Sequence, residues 1–213
     1  MSGIDLTFPG PVPSRGDHRR RKIGLLGGSF NPAHDGHRHI SLEAIRRLGL
    51  DEVWWLVSPQ NPLKPRAGML PLPIRIEKAR HMARHPRIRV SGLESHLPSR
   101  FTADTLRALK TRFPAAQFVW LMGADNMLQI PHWYRWPTIF SLVPVAILDR
   151  GEYAGRAMVG TAAQRFLRFR VAASQVGDLA GKTPPAWAFL RIRLHPASST
   201  AIRSQRREPE ERT

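Results

Sequence analysis

Two histidines stand close together in the stretch GGSFNPAHDGH, residues 27–37, among residue types that can hold a phosphate group. Glycines let the backbone approach an anion closely. His34 and His37 can each donate a ring hydrogen bond to a phosphate oxygen. A helix that begins at His37 adds free N–H groups and a partial positive charge. The stretch therefore predicts a site for a polyphosphate.

Other patterns that bind phosphates or metals are not met in this stretch. Neither the dinucleotide pattern G-x-G-x-x-G nor the Walker pattern G-x-x-x-x-G-K-[ST] is present. Zinc binding by His34, His37 and His39 is an alternative, but the chain has no cysteine and no well-spaced glutamate that would complete the ligand set. The lack of cysteine also excludes thiol catalysis and disulfide bonds.

A second candidate for anion binding lies far downstream, in the stretch SSTAIR at residues 198–203. Taken alone, this stretch predicts no more than the capped start of a helix. Hydroxyl groups at Ser199 and Thr200, together with the guanidinium of Arg203, are also suited to clamp a triphosphate from a second side.

Short apolar segments alternate with helical patterns, which predicts an α/β fold with a parallel sheet. The strands are predicted at 22–26, 52–57, 118–122 and 145–149, with weaker candidates at 87–90 and 188–194. The helices are predicted at 37–48, 74–84, 103–112 and 156–169. This order is typical of a Rossmann-like, doubly wound sheet, in which ligands bind outside the carboxyl ends of the strands. The glycine-histidine stretch falls at such an end.

The chain of 213 residues predicts one domain, at residues 22–204. We expect residues 1–21 to form a disordered basic extension and residues 205–213 a flexible charged tail. No apolar stretch is long enough for a transmembrane helix, and no signal peptide is recognisable, so the expected location is the cytoplasm.

The formal net charge of +17 raises the question of a nucleic-acid partner. The basic excess is spread along the chain rather than clustered, which is more typical of a compositional bias than of a binding groove. A basic nucleic-acid-binding module is the alternative from a different functional class, and nucleic-acid binding is not the favoured prediction.

At GGSFNPAHDGH and SSTAIR the chain resembles the nucleotidyltransferase superfamily with the H-x-G-H signature. Three further stretches are similar to those of the bacterial nicotinate-nucleotide adenylyltransferases. They are SPQNPLKP at 58–65, SRFTADTL at 99–106 and MGADNMLQIPHWYRW at 122–136.

The resemblance implies that AMP is transferred from ATP to nicotinate mononucleotide, giving nicotinate adenine dinucleotide and pyrophosphate. It implies in-line attack without a covalent intermediate, with Mg²⁺ accompanying ATP and held mainly by phosphates and water. Nicotinamide mononucleotide and phosphopantetheine are the alternative acceptors within the superfamily.

The resemblance also assigns roles to individual residues. The catalytic residues would be His34, His37 and Arg203. ATP would contact Gly27, Gly28, Ser29, Phe30, His34, His37, Asp125, Ser199, Thr200 and Arg203. Nicotinate mononucleotide would contact Asn61, Lys64, Thr102, Trp133 and Tyr134. Trp133 is expected to face the ligand from a loop, whereas Trp136 is expected to pack in the core.

Overall fold

The structure, a computed structural model, describes residues 20–59, 68–97, 101–149, 151 and 153–193. Several predictions of site residues lie outside these ranges: Asn61, Lys64, Ser199, Thr200 and Arg203. The same is true of the tail at 205–213 and of nearly all of the N-terminal extension.

Six parallel strands form one sheet in the order β3-β2-β1-β4-β5-β6. The strands are β1 (Lys22–Gly28), β2 (Glu52–Val57), β3 (Ile88–Ser91), β4 (Gln117–Gly123), β5 (Val145–Leu148) and β6 (Trp187–Leu190). The strand order reverses between β1 and β4, whose carboxyl ends therefore open a crevice of the kind that binds ligands in doubly wound sheets. The predicted fold class is confirmed.

Seven α-helices connect the described strands. They are α1 (Asp35–Leu48), α2 (Leu72–Ala83), α3 (Thr102–Arg112), α4 (Ala124–Gln129), α5 (Trp136–Leu142), α6 (Ala154–Val159) and α7 (Thr161–Arg165). Short 3₁₀-helices lie at Leu93–His96, Ile130–His132, Leu167–Phe169 and Ala173–Gly181. None of the helices in the described ranges is both long and apolar enough to cross a bilayer.

The helices cover both faces of the sheet and bury two apolar cores. One core packs α1, α2 and the 3₁₀ segment Ala173–Gly181 against the sheet, and the other packs α3 to α7. Because both faces are covered, β2, β4 and β5 are buried along almost their whole length. This two-sided burial explains why the strands read as continuous apolar runs.

The long helix predicted at 156–169 is wrong. Gly160 has an extended backbone (φ −72°, ψ 167°) and separates α6 from α7, and a 3₁₀-helix follows at Leu167–Phe169. The helix predicted from His37 begins two residues earlier, at Asp35. Gly27 and Gly28, read as part of a loop, are the last two residues of β1.

Candidate active site

The segment between β1 and α1 is built around the ring of Phe30. This ring is 2% exposed and stacks on Trp55 of β2, with centroids 5.0 Å apart and an interplanar angle of 16°. It also contacts the ring of His37 at a centroid distance of 4.7 Å. The backbone of Phe30 is left-handed (φ 46°), a conformation rare for an aromatic residue, so tertiary packing must maintain it.

His34 and His37 lie side by side at the start of α1. His34 occupies the N-cap position and is 3% exposed, and its ring centroid is 3.9 Å from that of His37. The backbone N–H of His34 donates to Nδ1 of His37 at 3.2 Å, and the backbone N–H of His37 donates to the carbonyl of His34 at 2.9 Å. The structure thus brings the two predicted catalytic histidines together at a helix N-terminus.

The hydrogen bond at Nδ1 determines what His37 can do chemically. Nδ1 accepts a hydrogen bond there, so the neutral ring carries its own proton on Nε2. Nε2 is then the atom that can donate to an anion, such as a phosphate oxygen. The first turn of α1 adds backbone N–H groups and the positive end of the helix dipole.

A hydrogen-bonded chain from β2 holds the first turn of α1 in place. Nε1 of Trp55 donates to Oγ of Ser41 at 2.8 Å, and this hydroxyl donates to the carbonyl of His37 at 2.8 Å. Sequence reasoning missed both residues as contributors to the site. The tryptophan pair in β2 predicted only a buried strand, and a serine inside a helix gave no signal.

The carboxyl end of β4 supplies the other wall of the crevice. Gly123 ends the strand and Asp125 lies in the first turn of α4. β4 pairs directly with β1, through contacts such as Leu26 with Leu121. Asp125 therefore lies at the end of the strand next to the glycine-histidine segment, which is the placement expected for a ligand of a ribose hydroxyl.

The residues predicted to recognise nicotinate come from two segments that touch each other. Thr102 is the first residue of α3, while Trp133 and Tyr134 lie between a 3₁₀-helix and α5. The ring of Phe101, which sequence reasoning did not select, contacts the ring of Tyr134 at a centroid distance of 4.3 Å. This contact brings Thr102 and Tyr134 into one neighbourhood.

The two tryptophans of the W-x-x-W segment are more alike than expected. Trp133 and Trp136 are both half-buried and both pack against the core that contains α3 and α5. Tyr134, by contrast, is 47% exposed and has the guanidinium of Arg135 5.2 Å from its ring centroid. Among the aromatic side chains of this segment, Tyr134 is therefore the one most accessible to a ligand.

A buried carboxyl group lies behind these segments. Glu94, in the 3₁₀-helix after β3, is 6% exposed and accepts a hydrogen bond from Oγ1 of Thr105 in α3 at 3.2 Å. Burial raises the pKa of Glu94 to about 7, while hydrogen bonds from the hydroxyls of Thr105 and Ser58 act in the opposite direction. Glu94 thus links the end of β2 to α3, and sequence reasoning did not identify it.

Comparison with known proteins identifies the family. The model of the cytidylyltransferase-like family matches residues 25–205. A probable nicotinate-nucleotide adenylyltransferase of Cereibacter sphaeroides is 53% identical over 182 residues, which cover 85% of this chain and 96% of that protein. Proteins with the same description from Parvibaculum lavamentivorans and Methylorubrum extorquens are each 50% identical over 184 residues, 86% of this chain and 92% and 100% of theirs.

The fold agrees with that of solved structures. The Plasmodium falciparum nicotinic acid mononucleotide adenylyltransferase complexed with NaAD superposes with a TM-score of 0.64 at 18% identity, covering 87% of this chain and 83% of that one. A putative nicotinate-nucleotide adenylyltransferase from Vibrio parahaemolyticus gives a TM-score of 0.52 at 19% identity, covering 89% and 88%. The fold, the paired histidines and the identity to relatives together show that the chain belongs to the cytidylyltransferase-like family and, within it, to the nicotinate-nucleotide adenylyltransferases.

Proposed function

We propose that this protein transfers the AMP moiety of ATP to nicotinate mononucleotide and releases pyrophosphate, a step of NAD biosynthesis. The observation that carries the proposal is the pair His34 and His37, whose rings lie 3.9 Å apart at the N-terminus of α1, with Nδ1 of His37 accepting a hydrogen bond from the backbone N–H of His34. This arrangement suits a polyphosphate, and membership of the family supports ATP as that polyphosphate.

The reaction is a single displacement at phosphorus. A 5′-phosphate oxygen of nicotinate mononucleotide attacks the α-phosphorus of ATP, the new P–O bond forms, and the bond to the bridging oxygen of the β-phosphate breaks. Pyrophosphate leaves with that electron pair. A phosphate is already a competent nucleophile, so catalysis rests on positioning and on stabilising negative charge.

The glycine-histidine segment would hold the ATP phosphates. We assign Nε2–H of His37 and the ring of His34 to the α- and β-phosphates, and backbone groups of residues 27–30 to the nucleotide. Asp125 would bind a ribose hydroxyl. Ser199, Thr200 and Arg203 would bind the β- and γ-phosphates, an assignment that rests on the sequence motif.

The acceptor would bind where α3 begins. An aromatic face at Trp133 or Tyr134 can stack on the pyridine ring, and the hydroxyl or backbone N–H of Thr102 can donate to the nicotinate carboxylate. The contact between Phe101 and Tyr134 supports this proposal because it holds the two segments together. Asn61 and Lys64 complete the assignment from the sequence motif.

Mg²⁺ would accompany ATP in this reaction. The described ranges contain no group of three or more His, Asp or Glu side chains that could hold a metal ion. We propose that phosphate oxygens and water hold the ion, as is usual for Mg²⁺ with nucleotides. The compartment we propose is the cytoplasm, where ATP is supplied.

The test is an assay of pyrophosphate release with ATP and, in parallel, nicotinate mononucleotide, nicotinamide mononucleotide and phosphopantetheine. We expect saturable release with nicotinate mononucleotide, matched mole for mole by nicotinate adenine dinucleotide in the mass spectrum. The amido mononucleotide lacks the carboxylate and should react more slowly. Equal rates with the two mononucleotides would remove the role given to Thr102, and no release with any acceptor would refute the proposal.

A further inference from the structure

Arg75 of α2 is a buried cation that the mechanism above does not use. Its side chain is 1% exposed, and all of its hydrogen bonds within the described ranges go to backbone carbonyl oxygens. Nε donates to Leu70 at 2.8 Å, Nη1 to Ser29 at 2.6 Å and to Ser58 at 2.7 Å, and Nη2 to Pro59 at 2.8 Å. The planar fork of a guanidinium is the side chain best able to span four acceptors.

The four carbonyl groups belong to three separate segments of the chain. Ser29 follows β1 in the segment assigned to ATP, Ser58 and Pro59 follow β2, and Leu70 precedes α2. Pro59 and Leu70 also stand on either side of residues 60–67. One guanidinium therefore fixes the nucleotide segment relative to both flanks of the segment that follows β2.

Asn31 reinforces the same connection from the nucleotide segment. Its Nδ2 donates to the carbonyl of Gly68 at 2.9 Å, and its Oδ1 accepts from the backbone N–H of Leu70 at 3.2 Å. The backbone N–H of Ser58 also donates to the carbonyl of Gly28 at 2.9 Å. These hydrogen bonds join the same segments that Arg75 joins, so several independent contacts fix the positions of those segments relative to one another.

Packing alone does not explain a cation in this place. Removing a charge from water is costly unless hydrogen bonds compensate, and an apolar side chain of similar size often serves stability equally well. In the part of the chain that the structure describes, Arg75 has no carboxylate partner. What the guanidinium provides, and an apolar residue could not, is a fixed arrangement of three backbone segments at the carboxyl edge of the sheet.

We propose that Arg75 is a positioning residue for adenylyl transfer, which sets the nucleotide segment at Ser29 in register with the segments flanking residues 60–67. The inference rests on the proposed function and deepens it. Arg75 does not touch the reacting atoms. It acts through the carbonyl groups that it holds, and so through the alignment of the two substrates.

The expected kinetic effect follows from this indirect role. A misplacement of about 1 Å can reduce a rate by about 10²-fold, even when the altered residue is remote from the chemistry. We expect Arg75→Ala to lower kcat by about 10- to 100-fold while changing the KM for ATP by less than about threefold. Arg75→Lys keeps the charge but places its donors on one nitrogen, so it should also lose about tenfold or more in kcat.

The experiment compares these variants with two controls in the pyrophosphate-release assay. Leu50→Ala removes a fully buried side chain just before β2, at the amino edge of the sheet, and should lower the free energy of unfolding by about 2–5 kcal/mol without touching the carbonyl network. Arg80→Ala removes an exposed arginine from the same helix. n-Propylguanidinium and n-propylammonium are then added to Arg75→Ala, and only the former should restore kcat.

Hydrogen exchange followed by mass spectrometry gives a readout that does not depend on turnover. Peptides containing residues 29–31, 58–59 and 68–70 should exchange faster in Arg75→Ala than in Leu50→Ala, whereas peptides from β4 should not differ. If the wild-type protein releases no pyrophosphate, the proposed function fails, and the exchange result still decides whether Arg75 orders these segments.

Three results would overturn the inference. The first is a kcat for Arg75→Ala within twofold of that for Leu50→Ala, and the second is unchanged exchange in the three peptides. The third is equal rescue by n-propylguanidinium and n-propylammonium, because the positive charge and not the planar arrangement of donors would then matter. If Arg75→Ala does not fold, Arg75→Lys is measured against the same criteria.

Discussion

At the scale of single residues, the two nitrogens of His37 have different tasks. Nδ1 accepts a hydrogen bond from the backbone N–H of His34, so the neutral ring has its N–H at Nε2, which is the donor that we assign to a phosphate oxygen. The motif alone predicts that both histidines approach a phosphate, but it does not say which nitrogen does so. The different roles of Nδ1 and Nε2 can be assigned only once the position of the backbone at the start of α1 is known.

Substituting His37 with each of two amides separates these tasks. Asn places its amide near the position of Nδ1, so His37→Asn should remain folded but lose about 10²- to 10³-fold in kcat. Gln reaches toward the position of Nε2 and can still donate, so His37→Gln should retain about tenfold more activity than His37→Asn. The measurements are kcat from pyrophosphate release and thermal unfolding of both variants. Equal kcat values for the two amides would contradict the assignment of Nε2 as the donor.

The two glycines that end β1 differ in what surrounds them. A Cβ atom on Gly27 would lie well inside contact distance of the Trp120 ring, which fills the core beneath it. A Cβ atom on Gly28 would make an ordinary contact of 3.5 Å with the ring of Phe30. Packing thus requires glycine at position 27, whereas packing does not require it at position 28.

Alanine at each position gives a matched pair. Gly27→Ala should lower the free energy of unfolding by about 1–3 kcal/mol because the indole must shift in a packed core. Gly28→Ala should change it by less than about 1 kcal/mol and should instead raise the KM for ATP. Urea unfolding and ATP titration of both variants check this. The interpretation fails if Gly28→Ala binds ATP normally or if Gly27→Ala is as stable as the wild type.

The residues that sequence reasoning found were those whose partners are near in the chain. His34 and His37 are three residues apart, and this spacing is part of the H-x-G-H signature, so the sequence alone predicts that they lie close together. Arg75, by contrast, lies in the pattern IRIEKAR, where an arginine reads as part of the exposed face, and its acceptors are up to 46 residues away. Glu94 and Phe101 were missed for the same reason, because the burial of Glu94 and the contact of Phe101 with Tyr134 depend on where the fold places α3.

At the scale of elements, apolar runs predicted the strands well because the sheet is covered on both faces. The strand predicted at 52–57 has the observed bounds, and the ends of the other five strands differ from the predicted ends by no more than four residues, some strands being longer and some shorter than predicted. Helices α4 and α5 were missed, since each has seven residues or fewer and shows too little periodicity. The helix predicted at 156–169 failed because Gly160 interrupts a sequence that otherwise favours a helix.

The C-terminus of α1 gives a prediction at this scale. Gly49 ends the helix in the left-handed region (φ 58°), which disfavours any residue with a Cβ atom. Gly49→Ala should lower the free energy of unfolding by about 1 kcal/mol, and Gly49→Asn by less.

A glycine elsewhere supplies a control of opposite sign. Gly155 lies inside α6, where a Cβ atom would have nothing within 4 Å. Gly155→Ala should therefore stabilise the protein by about 0.5–1 kcal/mol. Urea-unfolding curves of Gly49→Ala, Gly49→Asn and Gly155→Ala measure these changes in the free energy of unfolding. A destabilising Gly155→Ala together with a neutral Gly49→Ala would contradict both expectations.

At the scale of the whole molecule, Glu94 makes stability depend on pH. Burial raises its pKa from 4.5 to about 7 in the folded protein, so the folded state holds this proton more tightly than the unfolded chain does. The contribution of Glu94 to stability is therefore fully present below pH 4.5 and is lost as the pH rises to about 7. A pKa difference of this size corresponds to about 3 kcal/mol in the free energy of unfolding.

Glu94→Gln removes the titration and keeps the shape. Relative to the wild type, the variant should gain up to about 3 kcal/mol in the free energy of unfolding between pH 4.5 and 7, with no further gain at higher pH. Urea unfolding of both proteins from pH 4.5 to 8 measures the difference. Glu77→Gln, at an exposed position of α2, is the control and should show no such trend. A difference between Glu94→Gln and the wild type that is independent of pH would refute the role of Glu94.

The two outermost strands of the sheet, β3 and β6, are only four residues long. Each offers a foreign peptide a ladder of at most a few hydrogen bonds, and the guanidinium of Arg89 stands on β3. Edge strands as short as these discourage the sheet from pairing with strands of neighbouring molecules. Because the two longest strands, β1 and β4, lie at the centre of the sheet, neither of them presents an open edge with which a strand of a neighbouring molecule could pair.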